Sequence, residues 1–342
     1  MKENLDMIDR YSRQILFSGI GEEGQRKLNN GCAVIIGCGA LGAIIASILV
    51  RAGVGKVRII DRDFIEYHNL ARQVLFDEED VRNQLPKAIA AERHLKKINS
   101  SIEIEGIVAD VNYANIERFI SNTDVILDGL DNFETRGLIN DVSLKHKIPW
   151  VYGGALSSSG MTMNIIPGET ACLRCVHPDL HMGAGMLTCE TAGVISPAPF
   201  IIGSLQSAEA IKILVGSKDI NRSLIIVNVW QSEFKHLDIG HHPDCPSCQG
   251  KYDFLEARFG TKTISLCGQN AVQVLNPDAK EISFEKLATY LSPIGPVSYN
   301  EFMLRFEVDN HEMVVFPDGR AIIKNTDDES VARGLYAKYI GM

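Results

Sequence analysis

Two Cys-x-x-Cys pairs, Cys172/Cys175 and Cys245/Cys248, stand far apart in the chain, behind a glycine-rich turn at Gly37, Gly39 and Gly42. Two residues inside each pair let a tight turn present both sulfurs to one ion, and four thiolates complete a tetrahedral zinc shell. A full shell leaves no open position, so the spacing predicts structural rather than catalytic zinc. Two unrelated thiol pairs are the alternative. His241 and His242 flank the second pair, but four sulfurs already fill the shell.

Gly37-Cys38-Gly39-Ala40-Leu41-Gly42 follows an apolar run, Cys32 to Ile36, and opens a helically spaced stretch, Ala40 to Ala52. Such a turn brings backbone close to a phosphate, and the helix N-terminus favours its charge. Asp61, at the end of the next apolar run, is placed to accept hydrogen bonds from ribose hydroxyls. A tight structural turn is the alternative, and the pattern alone does not separate NAD from ATP. Downstream, Asn69, Arg72, Gln73 and Lys87 form a polar, cationic series, and Asp131-Asn132 follows a buried strand where a carboxylate can hold magnesium. Cations plus a magnesium carboxylate suit adenylyl transfer better than hydride transfer. Cys189, within LTCETAG, lies outside both pairs and is either a small buried hydrophobe or a nucleophile.

The elements that must position these residues follow from periodicity. Strand, glycine turn, helix and strand over 32–61 make a βαβ unit. The alternation continues with a helix at 87–98, a strand at 102–108, a strand at 125–127, a helix at 133–145 and a strand at 150–152. This predicts an α/β fold, a Rossmann-like, doubly wound and mostly parallel sheet, with a zinc-pinned crossover between the cysteine pairs. Helical spacing at 202–214 and strands at 161–166, 224–229 and 234–237 fill that insertion. HHPDCPSCQG reads as a knuckle before a boundary near Lys251, giving a domain over 1–250 and a small α+β module over 251–342 that carries no chemical motif.

With 45% apolar residues in 342, a sizeable core is expected; a net charge of −9 and 7% aromatics argue against coating nucleic acid or an anionic membrane. The polar N-terminus lacks a secretory signal and no apolar run reaches bilayer length, so a cytoplasmic protein is expected. There, eight cysteines are better explained by metal or catalysis than by disulfides. Cys32, Cys38 and Cys267 carry no motif of their own.

Taken together, RYSRQ at 10–14, GCGALG, IDRDFIEYHNLARQ, Pro86-Lys87, GLDNFETR, the two cysteine pairs and TCETAGV resemble the ThiF/MoeB family, bacterial relatives of the ubiquitin-activating enzymes. The likeness runs over about residues 5–250, and the tail, with FPDGRAIIKNTDDE and LYAKYIG, looks like the C-terminal module of ThiF-type proteins. The resemblance implies a homodimer that uses ATP and magnesium to adenylate the C-terminal glycine of a ubiquitin-fold sulfur carrier ending in Gly-Gly. It places Asp61 on ribose, Asn69, Arg72 and Lys87 on phosphates, Asp131 on magnesium, Asp63 and Gln73 in the nucleotide site, and Arg13 on the neighbouring protomer's triphosphate. Cys189 matches a cysteine linked with an acyl-persulfide to the carrier, fed by a cysteine desulfurase or other persulfide donor. The expected carrier is the thiamine-thiazole type; a MoeB-like role in molybdopterin synthesis and a non-catalytic nucleotide-binding adaptor are the alternatives.

Overall fold

The central strand β1 (Cys32–Ile36) is buried at every position, which suits the unbroken apolar run CAVII to a strand covered on both faces. The computed structural model that shows this describes residues 2–178, 192–258, 263–266, 270–275 and 282–340. From β1 the chain turns through glycine into α3 (Ala40–Ala52), after α1 (Lys2–Ile15) and α2 (Gly21–Asn30), and returns as β2 (Lys56–Asp61). Then come α4 (Glu78–Arg82), α5 (Lys87–Ile98), β3 (Glu103–Val108), α6 (Ile116–Phe119), β4 (Val125–Asp128), α7 (Phe133–His146) and β5 (Trp150–Leu156). β2 lies parallel on one side of β1, pairing Val34 with Arg58, and β4 lies parallel on the other, pairing Ile35 with Leu127.

β6 (Ser159–Ile165), β7 (Leu224–Asn228) and β8 (Glu233–Leu237) extend the sheet antiparallel from β5, in the order β3-β2-β1-β4-β5-β6-β7-β8. The doubly wound parallel half is therefore joined to an antiparallel half, and the sheet is mixed. α8 (Leu173–Val176) contains Cys175 and is capped at its N-terminus by Cys172, and α9 (Pro197–Val215) follows the crossover. α9 is long and apolar enough to cross a membrane by length and composition, yet it packs on α3, β5 and β6 as a core helix. Trp150, Ile126, Ile139, Cys172 and Cys245 share one apolar cluster, so the cysteine knuckle is part of this core.

The N-terminal helix is anchored by its aromatic residue. Tyr11 is 3% exposed, its hydroxyl accepts a hydrogen bond from Asn99 Nδ2 at 2.8 Å, and its ring fills the space a side chain at Gly53 would need.

The chain divides into two units, 1–258 and 259–342. Residues 251–258 belong to the first because Phe254 packs in its core and Asp253 pairs with Arg174 at 3.0 Å. The second unit is an antiparallel sheet of β9 (Thr263–Leu266), β10 (Ala271–Val274), β11 (Val297–Tyr299), β12 (Leu304–Val308), β13 (His311–Val315) and β14 (Ala321–Lys324), ordered β11-β12-β13-β14-β10-β9. α10 (Phe284–Leu291) and α11 (Glu329–Tyr339) complete it, and Phe306, Met313, Leu335 and Tyr339 lie in its core. Asp309 and Asn310, both at positive φ, make the two-residue hairpin that sets the β12–β13 register.

Candidate nucleotide site and cysteine cluster

The sheet order reverses between β1 and β4, and in open α/β sheets that point leaves a crevice at the carboxyl ends of the strands. Two glycine turns close on each other there. Gly37 has φ +90, and a side chain on Gly129 would come within 2.1 Å of the Gly37 carbonyl oxygen. Gly42 is equally confined, since its Cβ would lie 2.0 Å from the same oxygen. Gly39 differs: a Cβ there would meet nothing nearer than Gly129 O at 3.7 Å and Gln73 Nε2 at 4.0 Å. Packing within the protein thus explains Gly37 and Gly42, while the space over Gly39 stays open to a ligand.

Asp61 ends β2 and is 8% exposed. Its two oxygens accept hydrogen bonds from Cys38 N at 2.5 Å and Asp63 N at 2.7 Å, which fixes the carboxylate beside the glycine turn. Lys87 opens α5, where its backbone N donates to Asp63 O at 2.9 Å and its Nζ donates to Asp63 Oδ2 at 3.1 Å. Burial acts to lower the pKa of Lys87, but Asp63, Asp61 and Asp131 outweigh it and hold the ammonium above the ordinary lysine range. Burial pushes the Asp61 carboxyl up, against the pull of Lys87. Arg62 joins the same group, bonding Asp110 at 2.8 Å and approaching Asp63 at 3.8 Å.

Asp131 is exposed in the short loop between β4 and α7, close enough to influence Lys87, Arg62 and Arg136. Asn69 is buried and spends its Oδ1 on Glu66 N at 3.0 Å, which ties the 67–69 turn. Arg72 is half-buried and donates to His68 O at 2.8 Å. Gln73 is 3% exposed, and its Oε1 has no partner. Ala40 is half-buried and Leu41 buried in the first turn of α3. Asp61, Asp63, Lys87 and Asp131 are thus brought together, with Gln73 beside Gly39. Arg13 is exposed on α1, and Cys189 lies outside the described residues.

One pair at this site is absent from the sequence reading. Asp128, the last residue of β4, and Arg136, in α7, are both buried and bonded at 2.9 Å. Burial pushes the Asp128 carboxyl up, and Arg136 opposes it. Gln206 Nε2 of α9 donates to Asp128 O at 2.9 Å and Val151 O at 3.2 Å, joining β4 to β5. The signal was GLDNFETR itself, which contains Arg136; its burial was not legible.

The four cysteines of the two pairs converge. Cys172 Sγ lies 3.7 Å from Cys175, 3.5 Å from Cys245 and 3.5 Å from Cys248, and Cys175 lies 3.6 Å from Cys248. Tetrahedral zinc with Zn–S of about 2.3 Å needs sulfurs about 3.8 Å apart, so the cluster fits that ion with little adjustment. His242 N also points at Cys175 Sγ, at 3.3 Å, a backbone donor of the kind that stabilises a metal-bound thiolate.

A model of the ThiF family matches residues 11–247. The chain is similar to the sulfur carrier protein ThiS adenylyltransferase of Bacillus subtilis (strain 168), at 43% identity over 339 residues, which cover 98% of this chain and 100% of that relative. It is 33% identical over 254 residues to the sulfur carrier protein adenylyltransferase of Thermus thermophilus, covering 72% of this chain and 93% of that one. Among solved structures, that of E. coli MccB with ATP superposes with a TM-score of 0.62 at 26% identity, covering 70% of this chain and 74% of MccB.

Proposed function

The chain belongs to the ThiF family, and from that premise we propose that it is a sulfur carrier protein adenylyltransferase. It uses ATP to adenylate the C-terminal glycine carboxylate of a small ubiquitin-fold carrier ending in Gly-Gly. The observation that carries this reading is the grouping of Lys87, Asp61, Asp63 and Asp131 around a glycine turn left open over Gly39. The ThiS-type carrier is favoured because the likeness to the Bacillus enzyme runs through both units of the chain.

The triphosphate lies along the turn, where the backbone of Gly39 and the first turn of α3 face it. Asp61, already oriented by two backbone donors, has lone pairs left for the ribose hydroxyls. The carrier carboxylate, ionised at neutral pH, attacks the α-phosphorus. The bond from that phosphorus to the bridging oxygen breaks, and pyrophosphate leaves with the electron pair. No general base is needed. Lys87 and Arg72 offset charge that builds on the phosphates.

The site carries more carboxylates than cations around Lys87, so a triphosphate would be repelled by Asp131 without a bridging dication. An exposed carboxylate is a hard oxygen donor that suits magnesium, which when bound neutralises phosphate charge. In a homodimer, Arg13 reaches the partner's triphosphate. Zinc holds the cysteine knuckle. Cys189 accepts or relays sulfur from a separate persulfide donor such as a cysteine desulfurase, and the protein works in the cytoplasm. Trp230, Phe234 and Leu237, exposed on and beside the edge strand β8, suit docking of a protein acyl donor.

The test is magnesium-dependent ATP–pyrophosphate exchange with a thiamine-type and a molybdopterin-type carrier in parallel. Exchange with the first alone is expected. Exchange with the second alone moves the enzyme to the other pathway, and exchange with neither overturns the reading.

A further inference from the structure

Asp131 sits in a loop whose neighbouring peptide groups are gripped by the buried pair beneath it. Arg136 Nη2 donates to Leu130 O at 2.6 Å and to Gly153 O at 2.8 Å, while its Nε donates to Asp128 at 2.9 Å. Asp128 Oδ1 in turn accepts from Leu130 N at 2.9 Å. Both peptide planes around Leu130 are therefore held by one charge pair. On the other side, Asn132 Oδ1 caps α7 by accepting from Thr135 N at 3.0 Å. Asp131 stands between these two fixed points, and its side chain faces solvent.

A buried ion pair is a costly way to hold a loop. An apolar pair of similar volume would avoid the desolvation of two charges, and such exchanges are often neutral or stabilising. What an apolar pair cannot do is bond the N–H and the C=O of the same residue and the next strand at once. Arginine suits this because its planar fork makes several bonds in a fixed geometry, which the single lysine head cannot reproduce.

We propose that Arg136 and Asp128 are positioning residues that set the place of the Asp131 carboxylate, so that they govern the magnesium-dependent part of ATP binding and leave the rest of the nucleotide site unaffected. The proposal rests on the reading of Asp131 as the magnesium ligand. Arg136 touches neither nucleotide nor metal; it acts through Leu130 and thereby through Asp131.

Calorimetric ATP dissociation constants, measured in EDTA and in magnesium, give the enhancement due to the metal. In Arg136→Lys that enhancement should fall by about tenfold, while metal-free ATP affinity stays within about twofold of wild type. In an Asp131→Asn background, Arg136→Lys should change the enhancement by less than about twofold, because the route through Asp131 is already gone. Asp128→Leu combined with Arg136→Met removes both charges and leaves the Leu130 and Gly153 peptide groups without these partners; it should still unfold cooperatively, at a lower urea midpoint than wild type, and lose the enhancement. Independent, multiplying effects of Arg136→Lys and Asp131→Asn would overturn the proposal, as would wild-type enhancement in the double apolar variant. If Arg136→Lys and the apolar pair both unfold, the pair supports the fold as a whole and the proposal falls. Wild-type enhancement in Asp131→Asn alone would instead remove the reading of Asp131 as ligand.

Discussion

Gly39 and Gly42 lie three residues apart in one turn, yet an alanine at each should fail in opposite ways. At Gly42 the added methyl would sit 2.0 Å from Gly37 O and 3.4 Å from Ile35 Cγ2. The clash is with backbone, which must move by more than 1 Å to restore an ordinary contact, so Gly42→Ala should cost about 3 kcal/mol or more. At Gly39 the nearest protein atoms stand at 3.7 Å and 4.0 Å, and φ is −79, which any residue adopts. Gly39→Ala should therefore leave stability within about 0.5 kcal/mol of wild type.

The cost at Gly39 should appear only when nucleotide is present. A methyl over this turn occupies the space through which phosphate reaches the backbone N–H groups. Losing one or two charged hydrogen bonds, at about 1.5–3 kcal/mol each, predicts a loss of ATP affinity of about tenfold to a hundredfold or more. Urea melts read the first quantity and calorimetric ATP binding the second. Gly39→Ala with wild-type ATP affinity would refute the placement of the phosphates on this turn, and Gly39→Ala that unfolds would refute the steric reasoning.

Four further outcomes are expected. Lys87→Met should abolish pyrophosphate exchange and cost about 3 kcal/mol of stability near neutral pH, because Asp61 and Asp63 lose their buried counter-charge. That deficit should shrink as pH is lowered: the Asp61 carboxyl, raised by burial, takes up a proton in the folded state before it does in the unfolded chain, so the variant's stability rises as pH falls, which pH-dependent urea melts would detect. Tyr11→Phe removes the acceptor for Asn99 Nδ2 and should cost about 1–2 kcal/mol in a urea melt. Strong chelators should release about one zinc per chain and lower the melting temperature, and Cys175→Ser should bind zinc weakly by elemental analysis. Cys189→Ala should retain exchange and lose sulfur transfer to the carrier; equal loss of both would show that the residue serves the fold.

The βαβ start was legible because its signals are local: an apolar run, a glycine turn and helical spacing fall within a few residues of one another. The four cysteines were legible for a related reason, since each pair carries its own ligand spacing wherever the rest of the chain goes. What was not legible depended on distant partners. The segment carrying Arg13 reads as polar by composition, which hides the helical spacing of Leu5, Ile8, Tyr11 and Ile15; the helix is held against the fold through Tyr11 meeting Gly53 and Asn99. Asp128 read as the residue after a strand, and Arg136 as one charge in a polar helix. That the two are buried against each other depends on β5 and α9 closing over them. Alternating apolar residues announced strands β7 and β8, but not their antiparallel place beyond β5.

α7 relates the cysteine cluster to the chemistry without giving zinc a catalytic role. The helix begins at the Asn132 cap beside Asp131 and contributes Arg136 one turn later. Farther along, Asn140 Oδ1 accepts from Leu173 N at 2.8 Å, within the first cysteine pair. Asp141, fully buried, accepts from Ser247 Oγ at 2.8 Å, within the second, and from Phe254 N at 2.9 Å. Gly137 is glycine because Phe254 lies against it; a Cβ there would be 2.6 Å from the ring. A helix of 14 residues, about 21 Å long, thus has the Asp131 loop at its first turn and the cysteine knuckle along its second half. Its low amphipathicity follows, since both faces carry work: one packs on the sheet and the other receives the knuckle. Under the proposed function, a zinc held by the four cysteines would clamp the two segments that grip this helix, and would thereby help to fix the Asp131 loop at its other end.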